Sequence, residues 1–181
     1  AGKSTTAANL AIVLAQTNFK VLLIDADMRK PALKRIFRVS ASEGLSRLLC
    51  GMTTFEEAVS RNVAPGLDFL SSGPIPPNPQ ELLGSEQMRK LLEKAEKEYD
   101  YILIDTPPVN VVADALMLLP EVGGMLMLVR QNSTTRDDLQ AALDAVQRVD
   151  GHILGLLMTD VRNKTVRGGA YYKSSDYVYG K

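Results

Sequence analysis

Ala1-Gly2-Lys3-Ser4-Thr5-Thr6 runs straight into a helical pattern, and the reading of this stretch decides the fold. Gly-Lys-Ser at a helix start is the second half of a phosphate-binding loop. In such a loop backbone N–H groups and the helix N-terminus face a triphosphate, a Lys reaches the β- and γ-phosphates, and a Ser or Thr hydroxyl binds Mg²⁺. Lys3 and Ser4 stand where those roles fall, with Gly2 and Thr5 beside them as further nucleotide-binding residues. The strand and the first half of the loop that should precede the motif are absent, so the chain is expected to be a fragment of its fold. Taken alone, the triplet fits the start of any surface helix equally well.

The residues that follow favour the nucleotide. Ala7, Leu10, Ala11, Leu14 and Ala15 recur at the spacing of one helix face, and Asn18 is a plausible stop. Val21-Leu22-Leu23-Ile24 is then a short continuous apolar run, as expected of a parallel strand covered on both faces, and it ends in Asp25-Ala26-Asp27. The pattern returns at Tyr101-Ile102-Leu103-Ile104, which ends in Asp105-Thr106-Pro107-Pro108. Ligands of open α/β sheets sit outside the carboxyl ends of the strands, so both runs should aim an aspartate at the crevice the phosphate loop faces. Three carboxylates beside a triphosphate repel it, each close pair by on the order of 4 kcal/mol at 4 Å in an effective dielectric near 20. Such a site makes sense only with a cation, and Mg²⁺, held by one or two carboxylates plus phosphate oxygens, fits Ser4 and these aspartates.

Between and beyond the two strands the βα alternation continues. Pro31–Phe37, Gly44–Cys50 and Thr53–Ser60 read as short helices, the last capped by Thr53 or Thr54, and Leu67–Leu70 reads as a strand. Ser71–Pro79 is a stiff, proline-rich connector on composition. Met88, Leu91, Leu92 and Ala95 mark a helix face, Ala113–Leu119 a helix, Met125–Val129 a strand, and Ile153–Met158 the last strand. Thr134 with Asp137 three residues on resembles a capping box, opening a helix that buries Leu139, Ala142, Leu143 and Val146. After Asp160 the periodicity stops: Gly168-Gly169 introduces Tyr171, Tyr172, Tyr177 and Tyr179, four of the six tyrosines.

Composition narrows the function classes. At 181 residues, 45% hydrophobic and with formal net charge zero, the chain suits one globular domain, and bulk charge points to no nucleic acid. No apolar run approaches a membrane span, so membrane association would have to come through a partner. Cys50 is the only cysteine, which excludes an internal disulfide; it and the lone His152 are expected to be a buried apolar side chain and a structural or surface residue respectively. The expected fold is therefore α/β and P-loop NTPase-like, a mostly parallel sheet with helices on both faces spanning residues 1–160, followed by a flexible Tyr-rich tail over 161–181.

Ala1-Gly2-Lys3-Ser4-Thr5-Thr6, Val21 to Pro31, Gly73-Pro74-Ile75-Pro76-Pro77-Asn78-Pro79 with Glu81-Leu82-Leu83, and Ile102 to Pro108 together resemble the bacterial tyrosine kinases, whose Walker A, Walker A′, linker and Walker B segments they match. The resemblance spans nearly the whole chain and includes the tyrosine cluster. It implies an ATP- and Mg²⁺-dependent protein-tyrosine autokinase of capsular or exopolysaccharide production. Carried over by position, Lys3 contacts the phosphates, Ser4 and Asp105 hold Mg²⁺, and Asp25 and Asp27 complete the metal shell, with Asp25 receiving the tyrosine hydroxyl proton. Tyr171, Tyr172, Tyr177 and Tyr179 are the implied phosphorylation sites. A transmembrane adaptor, fused or separate, is the implied activator, with a homo-oligomeric ring formed through neighbouring tails and a cytoplasmic location at the inner face of the membrane. Thr159 departs from the Asn common in the family at that position, so no base-contact residue is assigned. A partitioning or positioning ATPase of the wider group explains the three Walker segments equally well, though not the tyrosine cluster. A non-catalytic nucleotide-binding regulator of a polysaccharide-assembly complex is the third reading.

Overall fold

In a computed structural model, which describes residues 2–39 and 42–161, a continuous apolar run becomes the strand on which the rest packs. β1 (Val21–Asp25) is buried at every position. Its side chains alternate between two clusters: Leu22 and Ile24 enter one core, Val21 and Leu23 the other. Helices therefore cover both faces of the strand. β1 is flanked in parallel by β3 (Leu67–Leu70) and β4 (Tyr101–Asp105), and β2 (Val59–Ala64) adds an antiparallel edge, giving the order β2-β3-β1-β4. β5 (Met125–Arg130) and β6 (Ile153–Thr159) form a separate parallel pair. Among the described residues β4 has a strand partner on one side only.

α1 (Lys3–Gln16) lies on the face of β1 lined by Val21 and Leu23, and Asn18 leaves the helix at a φ of 68°. Its buried stripe is Ala8, Ala11 and Ala15, with Ala7 and Leu14 packed beside them, so the face the apolar spacing suggested is the contact face except at Leu10, which is exposed. Small residues there let the helix backbone approach the sheet closely. The opposite core takes side chains from α3 (Leu45–Leu49), α4 (Phe55–Ala58), α5 (Pro79–Leu83), α6 (Glu86–Ala95) and α7 (Asp114–Leu118). α2 (Leu33–Phe37) joins α1 on the first face, and α8 (Arg136–Gln147) packs Ala142 and Val146 against β5 and β6.

Three local expectations are corrected. The helix expected over 53–60 stops at Ala58, and Val59 begins a strand that pairs back through the Pro65-Gly66 turn. The connector at 71–79, expected to be stiff, is in addition pinned to α3: Leu45 and Ser46 donate backbone N–H bonds to the carbonyls of Ser71 (2.7 Å) and Ser72 (3.0 Å), and Ser46 Oγ donates to the carbonyl of Pro74 at 2.7 Å. α8 is capped one residue later than expected, by Thr135 with Asp138, because Thr134 Oγ1 instead accepts the Arg130 N–H. Cys50 is exposed: it follows the last turn of α3, just ahead of the turn at Gly51. His152 is exposed, in keeping with its expected surface role. Tyr171, Tyr172, Tyr177 and Tyr179 lie outside the described residues.

Candidate active site

The site forms where α1 begins and β1 and β4 end. Gly2, at a φ of 107°, caps α1, a left-handed conformation that glycine adopts without strain, and Lys3, Ser4 and Thr5 make the first turn. The N–H groups of that first turn have no partner within the helix, as at any helix start, and the turn opens on a cleft. Asp25 and Asp105 are register partners on adjacent parallel strands, which places their backbones about 4.8 Å apart. The two loops are tied at once, since the Ala26 N–H donates to the Asp105 carbonyl at 2.8 Å.

Each carboxylate is partly satisfied and partly open. Asp25 Oδ2 accepts the Leu33 N–H at 3.2 Å, which links it to α2, whereas Oδ1 is buried with no hydrogen-bond partner. Burial pushes the Asp25 carboxyl up to about 7, helped by repulsion from Asp105 and Asp27 and opposed by N–H bonds from Leu33 and Asp27. Asp105 accepts a hydrogen bond from the Ser4 hydroxyl, yet its Oδ2 is also buried and unpartnered. Burial raises the Asp105 carboxyl too, while Ser4 and the charge on Lys3 pull it back. Asp27, almost wholly buried, accepts the Lys30 N–H at 2.9 Å through Oδ1. Lys3, Ser4, Asp25, Asp27 and Asp105 therefore converge.

Two buried carboxylate oxygens without donors, side by side, form a costly arrangement that a cation would relieve. The residues present fit Mg²⁺: Ser4, Asp105 and Asp25 offer hard oxygens, with Asp27 next to them. Among the described residues no three or more His, Cys, Asp or Glu side chains close into a metal cage.

A cleft of about 570 Å³ opens in front of Gly2–Thr5 and Asp27. Its other wall, formed by Lys30, Ala32, Arg35, Ile36 and Pro108, was missed in the sequence. A signal was present: residues 29–38 carry five basic side chains and no acidic one. Behind it, Arg29 forms a two-point ion pair with the fully buried Asp114, Nε to Oδ2 at 2.9 Å and Nη2 to Oδ1 at 3.1 Å, joining the loop after β1 to α7. Thr159 ends β6 beside the loop, with its hydroxyl 4.0 Å from where a Cβ on Gly2 would stand.

Residues 1–150 match the AAA domain family. The tyrosine-protein kinase YwqD of Bacillus subtilis is 40% identical over 97% of this chain and 74% of its own length. The Escherichia coli tyrosine-protein kinase Etk is 34% identical over 94% of this chain, which spans about a quarter of Etk (23%). The solved kinase domain of Etk superposes with a TM-score of 0.87, covering 94% of this chain and 67% of that one. The septum site-determining protein MinD of Pyrococcus horikoshii, solved with Mg-ADP, reaches 0.71 at 21% identity over 87% of this chain and 64% of its own, a likeness of fold alone. Identity of 40% over 97% of the chain and 74% of YwqD goes well beyond shared architecture, and the chain belongs to the bacterial tyrosine-protein kinases.

Proposed function

We propose that residues 1–160 are the kinase domain of an ATP-dependent protein-tyrosine autokinase that phosphorylates Tyr171, Tyr172, Tyr177 and Tyr179 in the 161–181 tail and so regulates capsular or exopolysaccharide biosynthesis. The observation that carries the reading is the meeting of the α1 start with two strand-end aspartates whose inward oxygens lack partners. Gly2, Lys3, Ser4 and Thr5 bind the phosphates of ATP, and Ser4 and Asp105, with Asp25 and Asp27, hold Mg²⁺. When bound, the ion neutralises charge that develops on the transferring phosphoryl group.

The transfer forms a bond between the tyrosine Oη and the γ-phosphorus and breaks the bond from that phosphorus to the β,γ-bridging oxygen; ADP leaves with the electron pair. The phenolic proton passes to the Asp25 carboxylate at the end of β1. Lys3, on the first helical turn, screens the phosphate charge. Phosphoryl transfer depends mostly on such positioning and charge stabilisation. A transmembrane adaptor, fused or separate, is the activating partner in this reading, and the working form is an oligomer at the inner membrane face. Among the described residues no helix is long and apolar enough to cross a membrane.

The test is the full-length protein incubated with Mg²⁺ and ATP, followed by mass spectrometry of the tail. Phosphate on the tail tyrosines supports the kinase. ATP hydrolysis without it would move the chain to the positioning ATPases, and nucleotide binding without turnover would make it a regulator. In the same assay Lys3→Met, Asp25→Ala, Asp27→Ala and Asp105→Ala should each lower phosphorylation by about 10²-fold or more, while circular dichroism shows the fold retained. Parent-like phosphorylation by folded variants would refute the assignment of these residues.

A further inference from the structure

The cleft has two chemically different walls. One consists of the phosphate-binding turn Gly2–Thr5 and Asp27; the other comes from α2 and the segment leading into it, where Ile36 and Pro108 are apolar and Lys30 and Arg35 are cationic. Ile36 is 43% exposed at the cleft although it could have been turned into the core, as Leu33 is on the same helix. Lys30 and Arg35 form no ion pair among the described residues, in contrast to the neighbouring Arg29, which is committed to Asp114. An apolar strip next to two uncommitted cations suits an aromatic ring that carries a carboxylate beside it.

Resting on the kinase reading above, the geometry points to the α2 wall as the acceptor subsite: Ile36 and Pro108 receive the tyrosine ring, while Lys30 and Arg35 select tyrosines preceded by an acidic residue. The chain's own tail gives that selection a consequence. From Asp160 to Lys181 there are five basic and two acidic residues, a formal charge of +3, so the α2 wall repels most of the segment. Tyr177, directly after Asp176, is the one tail tyrosine with an acid next to it, whereas Tyr172 is followed by Lys173. Tyr177 is therefore the first site modified.

Site-resolved mass spectrometry over a time course, on the complete protein with Mg²⁺ and ATP, reads this out. Two solvent-exposed ion contacts correspond to a lead of about threefold to tenfold in initial rate for Tyr177 over Tyr171, Tyr172 and Tyr179. Asp176→Lys should remove the lead. Lys30→Glu with Arg35→Glu should remove it as well, and combining all three changes should bring it back, since the charges then attract in the opposite sense. Equal rates for all four tyrosines in the parent, a lead indifferent to the α2 changes, or a triple variant without recovery would each overturn the acceptor subsite while leaving the kinase reading intact. A rise in the KM for ATP in the α2 variant, with the Tyr177 lead unchanged, would assign the cations to the nucleotide. ATP consumption with no tail tyrosine modified would instead remove the kinase reading itself.

Discussion

Asp25 carries two demands that oppose one another. Its place at the end of a fully buried strand suits catalysis, yet burial makes its charged form unfavourable and lifts its pKa from 3.8 to about 7. The folded protein therefore holds this proton more tightly than the unfolded chain does. The contribution is fully present below about pH 4 and is lost progressively as pH rises from there through the folded value. Each pKa unit corresponds to about 1.4 kcal/mol, so without Mg²⁺ or nucleotide Asp25→Asn should stabilise the protein at pH 8 by about 1–3 kcal/mol and by much less at pH 5. Asn keeps an acceptor for the Leu33 N–H, which isolates the charge as the cause. Urea unfolding at the two pH values in a chelator checks it, and an equal effect at both would mean that charge burial is not what Asp25 contributes. The same variant should phosphorylate poorly, as expected where function holds a residue in an unfavourable state.

At the scale of elements, the approach of α3 to the Ser71–Pro74 segment shows how closely the parts are fitted. A Cβ on Gly44 would lie 2.4 Å from the Gly73 backbone N and 2.7 Å from the Ser71 carbonyl, contacts that backbone cannot easily yield. Gly44→Ala should therefore cost about 1–3 kcal/mol or more by overpacking, and it would separate α3 from the carbonyls that cap its first turn. A thermal midpoint within a degree of the parent would show that this contact relaxes freely. Such pinning was invisible in the sequence, where glycine and proline mark a turn but not what the turn is held against. β1 was legible because a parallel strand buried on both faces has no choice but to be apolar throughout, and β4 was legible because it repeats that apolar run before an aspartate, although only Asp105 is buried in it. β2 was not, since Val59-Ser60-Arg61-Asn62-Val63-Ala64 is an edge strand whose pairing depends on the Pro65-Gly66 turn, with Gly66 at a φ of 76°, and is interrupted by a register shift. The aspartates could be found from their positions after apolar runs. The opposite wall of the cleft was only half legible: the basic run over 29–38 marked it, but that Lys30, Arg35 and Ile36 face Gly2–Thr5 is settled only when the chain folds.

For the molecule as a whole, the proposed regulation would take its direction from the charge of the tail and that of the loaded cleft. The unmodified tail, at formal +3, would be drawn towards the three aspartates and a triphosphate, a pull that outweighs the repulsion from the two cations of the α2 wall, and seventeen residues from Asp160 to Tyr177 span at most about 55–60 Å extended, enough to reach its own site or a neighbour's. Reach does not choose between the two; the family resemblance favours the neighbour, within a ring. Each phosphate adds about −1.5 to −2 charges, so four modified tyrosines change the tail by roughly −6 to −8. Lys3, Lys30 and Arg35 would then be outweighed by the aspartates and phosphate oxygens, and the tail would be expelled from the cleft it had occupied. Unphosphorylated full-length protein should accordingly be oligomeric and the phosphorylated form monomeric. Light scattering on both forms at matched concentration, with the activating adaptor present, would give the masses. Because the attraction acts between exposed charges, the unphosphorylated oligomer should also weaken between 50 and 500 mM salt. Equal masses for the two forms would eliminate the switch and leave the kinase chemistry standing, whereas a salt-insensitive oligomer that still dissociates on phosphorylation would place the control in packing rather than in charge.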